Sequence, residues 1–383
     1  MKFLHTADWH VGKTLKSRSR LDEQRAVLGE IIEIAVSEKV DAVLIAGDLY
    51  DTATPSPDAQ KLVNGALLKL QQAGIHVVVI AGNHDRAGSF EALRPLMDVV
   101  GIEYIGEPRL PADGGVHRFT AASTGEEVVV ALLPFLSRRY VVRAQEIVTN
   151  TPSENAGLYE ESIRQILNAL ATEFSAATVN IVMGHLTCTG GVMGGGEREA
   201  QSIFEYHVSA QAFPPEAHYV ALGHLHRRQC IPAPCPVHYS GAPLAVDFGE
   251  EENTPVVCLV EAGVSTPAVI HDIPIKSAKR LRTVIGTAAE LKASATDYGD
   301  DYLRVYVREK ARAGLREEVV EVLPNALEVR IHPDFLETGQ RPRPRDTKSS
   351  PHDLFAEYCT EMQVDDADAI ALFDELLDEI VGR

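Results

Sequence analysis

The feature that most constrains this chain is the way its apolar runs end. Six short runs, each rich in β-branched residues, read as buried strands: "KFLHTAD", "DAVLIAGD", "HVVVIAGNHD", "EVVVALLPF", "TVNIVMGH" and "HYVALGHLH". Five of them close on a small residue followed by a side chain of metal-binding type. The endings carry Asp8 and His10, then Asp48, then Asn83, His84 and Asp85, then His185, then His224 and His226. In layered α/β sheets, ligands bind outside the carboxyl ends of the strands. The five endings are therefore expected to converge on one site.

Helical patterns separate the first strands. Residues 21–38 set Leu21, Val27, Leu28, Ile31, Ile34 and Ala35 mostly on one face, and residues 57–73 start at Pro57 and stop at Gly74. Strands alternating with helices imply an α/β layered fold. The pattern changes near residue 275. Residues 276–335 read as helix, strand, helix, strand, a small separate α/β module. "GQRPRPRDTKSS" then reads as a linker. Ser350 and Pro351 form a helix start, and two short amphipathic helices follow. The second carries a stripe of Ile370, Phe373, Leu376, Leu377 and Ile380, which suits packing on the protein's own body or in a partner's groove.

A lone Asp or His at a strand end is ordinarily a cap or turn residue. "IAGNHD" by itself could bind metal, move a proton or make a tight turn. Asp8, His10, Asp48, Asn83, His185, His224 and His226 together are too many ligands for one ion, and a bridging carboxylate lets seven residues serve two. The mixture of carboxylate, imidazole and amide suits Mn²⁺, and less often Zn²⁺ or Fe²⁺. The absence of thiolate argues against a structural zinc site. Two ions about 3.5–4 Å apart are characteristic of hydrolysis at phosphorus.

The net charge of −19 argues against binding nucleic acid by bulk electrostatics, and ten Asp and Glu against one Arg concentrate in residues 351–383. Basic groups cluster at Lys13, Lys16, Arg18 and Arg20, at Arg138 and Arg139, and at Arg227 and Arg228, each ordinarily a solvated surface. Five cysteines with no CxxC predict neither a disulfide framework nor a cysteine zinc site. No apolar run reaches membrane length and "MKFLHTADWH" does not read as a signal peptide, so cytoplasm is the expected compartment. Trp9 is expected to pack beside the site. "TGGVMGGGE" lacks the Lys-Ser/Thr of a phosphate loop and reads as a mobile surface loop near it. His207, His218 and His238 are read as structural.

"DWH", "GDLYD", "GNHD", "GH" and "GHLH", in that order, resemble the calcineurin-like metallophosphoesterase superfamily. "HTADWHVGK", "FPPEAHYVALGHLHRRQ" and "YSGAPLAVDFGE" are similar more closely to the SbcD family, the nuclease subunits of SbcCD complexes. The resemblance covers nearly the whole chain and is strongest over residues 1–250. It implies a four-layer αββα sandwich over residues 1–275, a capping domain at 276–335, a linker at 336–350 and a helical docking segment at 351–383 for an SbcC-type, SMC-like ATPase. It implies one ion on Asp8, His10, Asp48 and His226 and a second on Asp48, Asn83, His185 and His224, with Mn²⁺ the expected metal. It also implies His84 as general acid, oriented and charged by Asp51, with Asp85 in support. The implied activity is 3′-to-5′ exonuclease and single-strand or hairpin endonuclease on DNA, in a homodimer under ATP control by the partner. A small-molecule phosphatase and a non-catalytic scaffold are the competing readings.

Overall fold

The computed structural model describes residues 1–137, 152–197 and 207–336, and ten positions between 352 and 377. In chain order come β1 (Lys2–Thr6), α1 (Leu21–Ser37), β2 (Ala42–Ala46), α2 (Pro57–Gln72), β3 (His76–Ile80), α3 (Ala87–Val99) and β4 (Ile102–Ile105). The four strands pair in parallel. A second set follows: β5 (Val116–Thr120), β6 (Glu127–Leu133), α4 (Pro152–Ala171), β7 (Val179–His185), β8 (Tyr219–Gly223), β9 (Gln229–Ile231) and β10 (Val237–Tyr239). The chain then returns through β11 (Val256–Gly263) and β12 (Thr266–Pro274). Two six-stranded sheets result, ordered β12-β11-β1-β2-β3-β4 and β9-β10-β8-β7-β6-β5.

Side-chain alternation divides these strands into layers. On β2, Val43 and Ile45 face α1 and α2, meeting Val27, Ile31, Leu67 and Leu70. Leu44 and Ala46 point the other way, onto Val130, Leu132, Ile181 and Met183 of the second sheet. The outer face of that sheet meets Tyr159, Ile163, Leu167 and Leu170 of α4. The order helix, sheet, sheet, helix is the expected four-layer sandwich. Strands covered on both faces read as continuous apolar runs, and each fully buried Val, Leu or Ile contributes roughly 1.5–3 kcal/mol. Helix ends follow local chemistry: Ser56 Oγ accepts from Ala59 N–H, Pro57 opens α2, and Gly74 takes φ +79° just past its end.

A third sheet forms from β13 (Leu281–Gly286), β14 (Tyr302–Val307) and β15 (Ala326–Ile331), all parallel, with α5 (Ala288–Ala293) and α6 (Leu315–Val322) between them. Its own core holds Val284, Leu291, Val305, Val307, Leu315 and Val319. The module thus begins with a strand, not the helix that its sequence suggests. "LRTVIG" is short and weakly patterned, and its strand character comes from pairing with β14, about twenty residues on. The module sits on the first body through Leu15, Ala245, Phe248, Leu281 and Tyr302.

Residues 337–350 of the expected linker, Arg138 and Arg139, and most of 351–383, including Ile370, Leu376 and Ile380 of the stripe, lie outside the described residues. Within the C-terminal segment, Phe355 and Phe373 stack at 4.0 Å and His352 pairs with Asp374 at 2.8 Å, so its two helical stretches face each other. Leu354, Tyr358 and Leu372 are exposed. No helix among the described residues is long and apolar enough to cross a membrane. The five cysteines are free thiols.

Candidate metal centre

Parallel register aligns the carboxyl ends of β1, β2 and β3 within one sheet and those of β7 and β8 within the other, where His185 and Gly223 are direct partners, and the 2.7 Å contact of His185 Nδ1 with Ala46 O brings the two sets together. The chain turns sharply at each ending. Asp8 (φ 54°), His10 (φ 44°), Asp48 (φ 51°) and His224 (φ 97°) all adopt left-handed backbone, which β-carbon-bearing residues rarely do. Such strain persists where surrounding structure holds it and concentrates at functional sites. Main-chain bonds hold it here: Asp8 N–H donates to Gly47 O at 3.0 Å and His10 N–H to Asp48 O at 3.0 Å.

The glycines before Asp48 and Asn83 have a steric cause. A Cβ on Gly47 would lie 2.2 Å from His185 Nδ1, and one on Gly82 would lie 2.2 Å from Asp48 Oδ1. Glycine at these two positions lets neighbouring endings within the first sheet, and endings of the two sheets, approach this closely.

All seven expected ligands converge and all are buried. His185 Nε2 stands 2.9 Å from Asn83 Oδ1 and 3.5 Å from Asp48 Oδ2, and His224 Nδ1 is 2.7 Å from Asn83 Oδ1. His10 Nε2 faces His226 Nε2 at 3.0 Å and lies 3.7 Å from Asp48 Oδ2. Asp8 accepts from His224 N–H at 3.0 Å. Asp48 is thus near both groups of ligands. Asp8, His10 and His226 gather closely enough to share one ion, as do Asp8, Asp48 and His185, and as do His10, Asp48 and His84.

The donor chemistry fits divalent cations. His185 Nδ1 donates to Ala46 O at 2.7 Å and His226 Nδ1 to Glu250 Oε1 at 2.5 Å, so both rings turn Nε2 inward. The electrostatics are those of a pocket arranged around positive charge. Burial pushes Asp8 up to about 7. Burial also opposes ionisation of Asp48, but His185, His84 and His10 hold its carboxyl well below the usual range. Burial disfavours charge on His185 and His226, yet Asp48 in one case and Glu250 in the other push each up to about 9.

His84 takes a different position. Its N–H donates to Asp48 Oδ1 at 2.7 Å, its Nδ1 donates to the Asp51 carbonyl at 2.7 Å, and its Nε2 is 4.0 Å from Asp48 Oδ2. The expected contact of Asp51 with His84 therefore runs through the main chain. The Asp51 carboxylate forms an ion pair with Lys13 Nζ at 3.1 Å and stands 4.0 Å from His10 Nδ1. Asp85 accepts from Gly82, Leu49 and Tyr50 N–H groups, binding the second and third strand endings together. Trp9 is buried in the helix–sheet core, its indole N–H on Thr6. His218 Nδ1 accepts from Asn180 N–H, and His238 stacks on Tyr219.

Sequence reasoning assigned no role to Glu197, Glu250 or Phe135. Glu250 lies in the quoted "DFGE", but nothing local indicates that it reaches His226. Glu197 closes the glycine-rich loop and accepts from Gly194, Gly195, Gly196 and His226 N–H groups, which fastens the loop's described part beside the site. Phe135 stacks against His224 at 6.4 Å and meets His185 edge-on at 6.3 Å.

Comparison with known proteins gives the family. The Metallophos family, calcineurin-like phosphoesterases, matches residues 1–228. The chain is 38% identical over 285 residues to the SbcD component of the SbcCD nuclease of Bacillus subtilis, covering 73% of this chain and 71% of that protein. The same component from Rhodobacter capsulatus is 34% identical (65% and 64% covered), and that of Escherichia coli K12 is 29% identical (78% and 74%).

Proposed function

This chain belongs to the SbcD nucleases of the calcineurin-like phosphoesterase family, metal-dependent phosphodiester hydrolases, and from that premise we propose that it is a Mn²⁺-dependent nuclease of DNA ends and hairpins. The convergence of five strand endings on Asp48 carries the reading. Asp8, His10, Asp48 and His226 would hold one ion, and Asp48, Asn83, His185 and His224 the other. When bound, the ions supply Lewis-acid charge for the phosphate oxygens and lower the pKa of water.

The chain's own residues supply orientation and a proton. Asp48 fixes the spacing of the two ligand groups. The Asp51 carbonyl only accepts, so His84 keeps a proton on Nδ1. His84 can therefore give a proton to the leaving oxygen only from Nε2, as an imidazolium. Asp51 supports it by that carbonyl.

The proposal extends to 3′-to-5′ exonuclease and single-strand endonuclease action, ATP-dependent control by an SbcC-type ATPase gripping residues 351–383, a homodimer, and a cytoplasmic, nucleoid-associated setting. Residues 1–275 would be the nuclease domain, 276–335 the cap and 336–350 the linker. Two bound ions and the partner would offset the acidic surface. A comparison of Mn²⁺-supported turnover on linear duplex DNA and on nitrophenyl phosphate esters tests this. Cleavage of duplex with weak ester turnover supports the nuclease. Efficient ester turnover with intact DNA would point to a small-molecule phosphatase.

A further inference from the structure

The turn between β10 and β11 has one side on the metal centre and the other on the β13–β15 module. Glu250, 1% exposed, accepts from His226 Nδ1 at 2.5 Å and from Val246 N–H at 2.7 Å. The next residue, Glu251, accepts from Thr283 N–H of β13 at 2.7 Å and lies 3.8 Å from Arg304 of β14. Phe248 underlies the Arg304 guanidinium at 5.2 Å and packs in the cluster that holds Leu281 and Tyr302. The glycine-rich loop closes a third side: a Cβ on Gly195 would lie 2.6 Å from Gly249 O, and one on Gly196 would lie 2.0 Å from Glu250 Oε1.

Glu197, His226 and Glu250 are close enough together to suggest another cation site. Their bonds argue otherwise. Glu197 accepts four backbone N–H groups and Glu250 accepts two N–H donors, so these carboxylates hold the loop and the ring in place.

We infer that Glu250 is a positioning residue for His226, and that the seating of the β13–β15 module on residues 247–251 sets the affinity for the ion His226 holds. The coupling is short. Adjacent residues of one turn carry the two contacts, and packing on three sides leaves the turn little freedom to move without the ring.

The inference rests on the two-ion reading, and the test separates the two. Mn²⁺ is titrated calorimetrically into the full chain for wild type, Glu250→Gln, Glu251→Ala and the double variant, alongside the Tm of each metal-free protein. Wild type should take two ions; fewer would remove the two-ion reading itself. Glu250→Gln should lose affinity for one ion by about 10–100-fold and keep the other, the range typical for removing the partner of a metal-bound histidine. Glu251→Ala should weaken the same ion several-fold, and the double variant should fall short of the sum because both act through one turn. A merely structural role would weaken both ions together and lower the metal-free Tm. That result, or two unchanged affinities in Glu250→Gln, overturns the positioning role. Unchanged affinities in Glu251→Ala overturn the coupling. If Glu250→Gln does not fold, the inference stands or falls with its coupling half, on Glu251→Ala, altered on the module side of the turn.

Discussion

The two ring nitrogens of His84 have different surroundings, and the proposed general-acid role draws on that difference. Nδ1 is fixed on the Asp51 carbonyl, and Nε2 faces the ligand cluster 4.0 Å from Asp48. His84→Ala should therefore keep both ions by calorimetry and lose about 10²–10⁴-fold in cleavage. Wild-type cleavage in that variant would remove the general-acid role. The neighbouring imidazoles predict a pH dependence. Burial opposes charge on His185 and His226, but Asp48 and Glu250 respectively push each up to about 9, so both are protonated in the metal-free protein at neutral pH. A cation must displace the proton on Nε2. Mn²⁺ affinity should thus rise as pH rises towards about 9 and level off above it. Calorimetry in two buffers of different ionisation heat measures the protons released at neutral pH; no release would contradict the assignment.

At the scale of elements, the strand endings work because glycine lets them meet. Gly47, at φ +91°, combines a left-handed backbone with contact to the His185 ring. Gly47→Ala should cost about 1–3 kcal/mol through backbone strain, and more from the clash, lowering the metal-free Tm and weakening the ion on His185. Thermal unfolding with and without Mn²⁺ checks both effects. The endings were legible in sequence because each ligand follows a short apolar run and, in four of the five, a glycine. β13 was not, because a short strand in a parallel sheet depends on a partner remote in sequence. Glu250 was not, because its contact with His226 spans 24 residues and forms only when the turn is packed. Asp51 was half legible: its neighbourhood with His84 was expected, but the atom that makes the contact is set by backbone geometry.

Across the whole molecule, an acidic chain of net charge −19 surrounds a pocket built to hold cations. Bulk charge did not reveal the function; the local ligand pattern did. The acidity concentrates in residues 351–383, where Leu354, Tyr358 and Leu372 are exposed. Deleting 351–383 should abolish co-purification with an SbcC-type ATPase and leave Mn²⁺-dependent cleavage intact; retained co-purification would move the docking surface elsewhere. The central claim, that one carboxylate joins five strand endings into a two-ion nuclease centre, is tested most directly at Asp48. Release of nucleotides from end-labelled linear duplex in Mn²⁺ should be robust for wild type, abolished by chelation, and reduced to background in a folded Asp48→Asn variant. An Asp48→Asn protein that degrades duplex at the wild-type rate, or a wild-type protein that leaves it intact in Mn²⁺, would contradict the account.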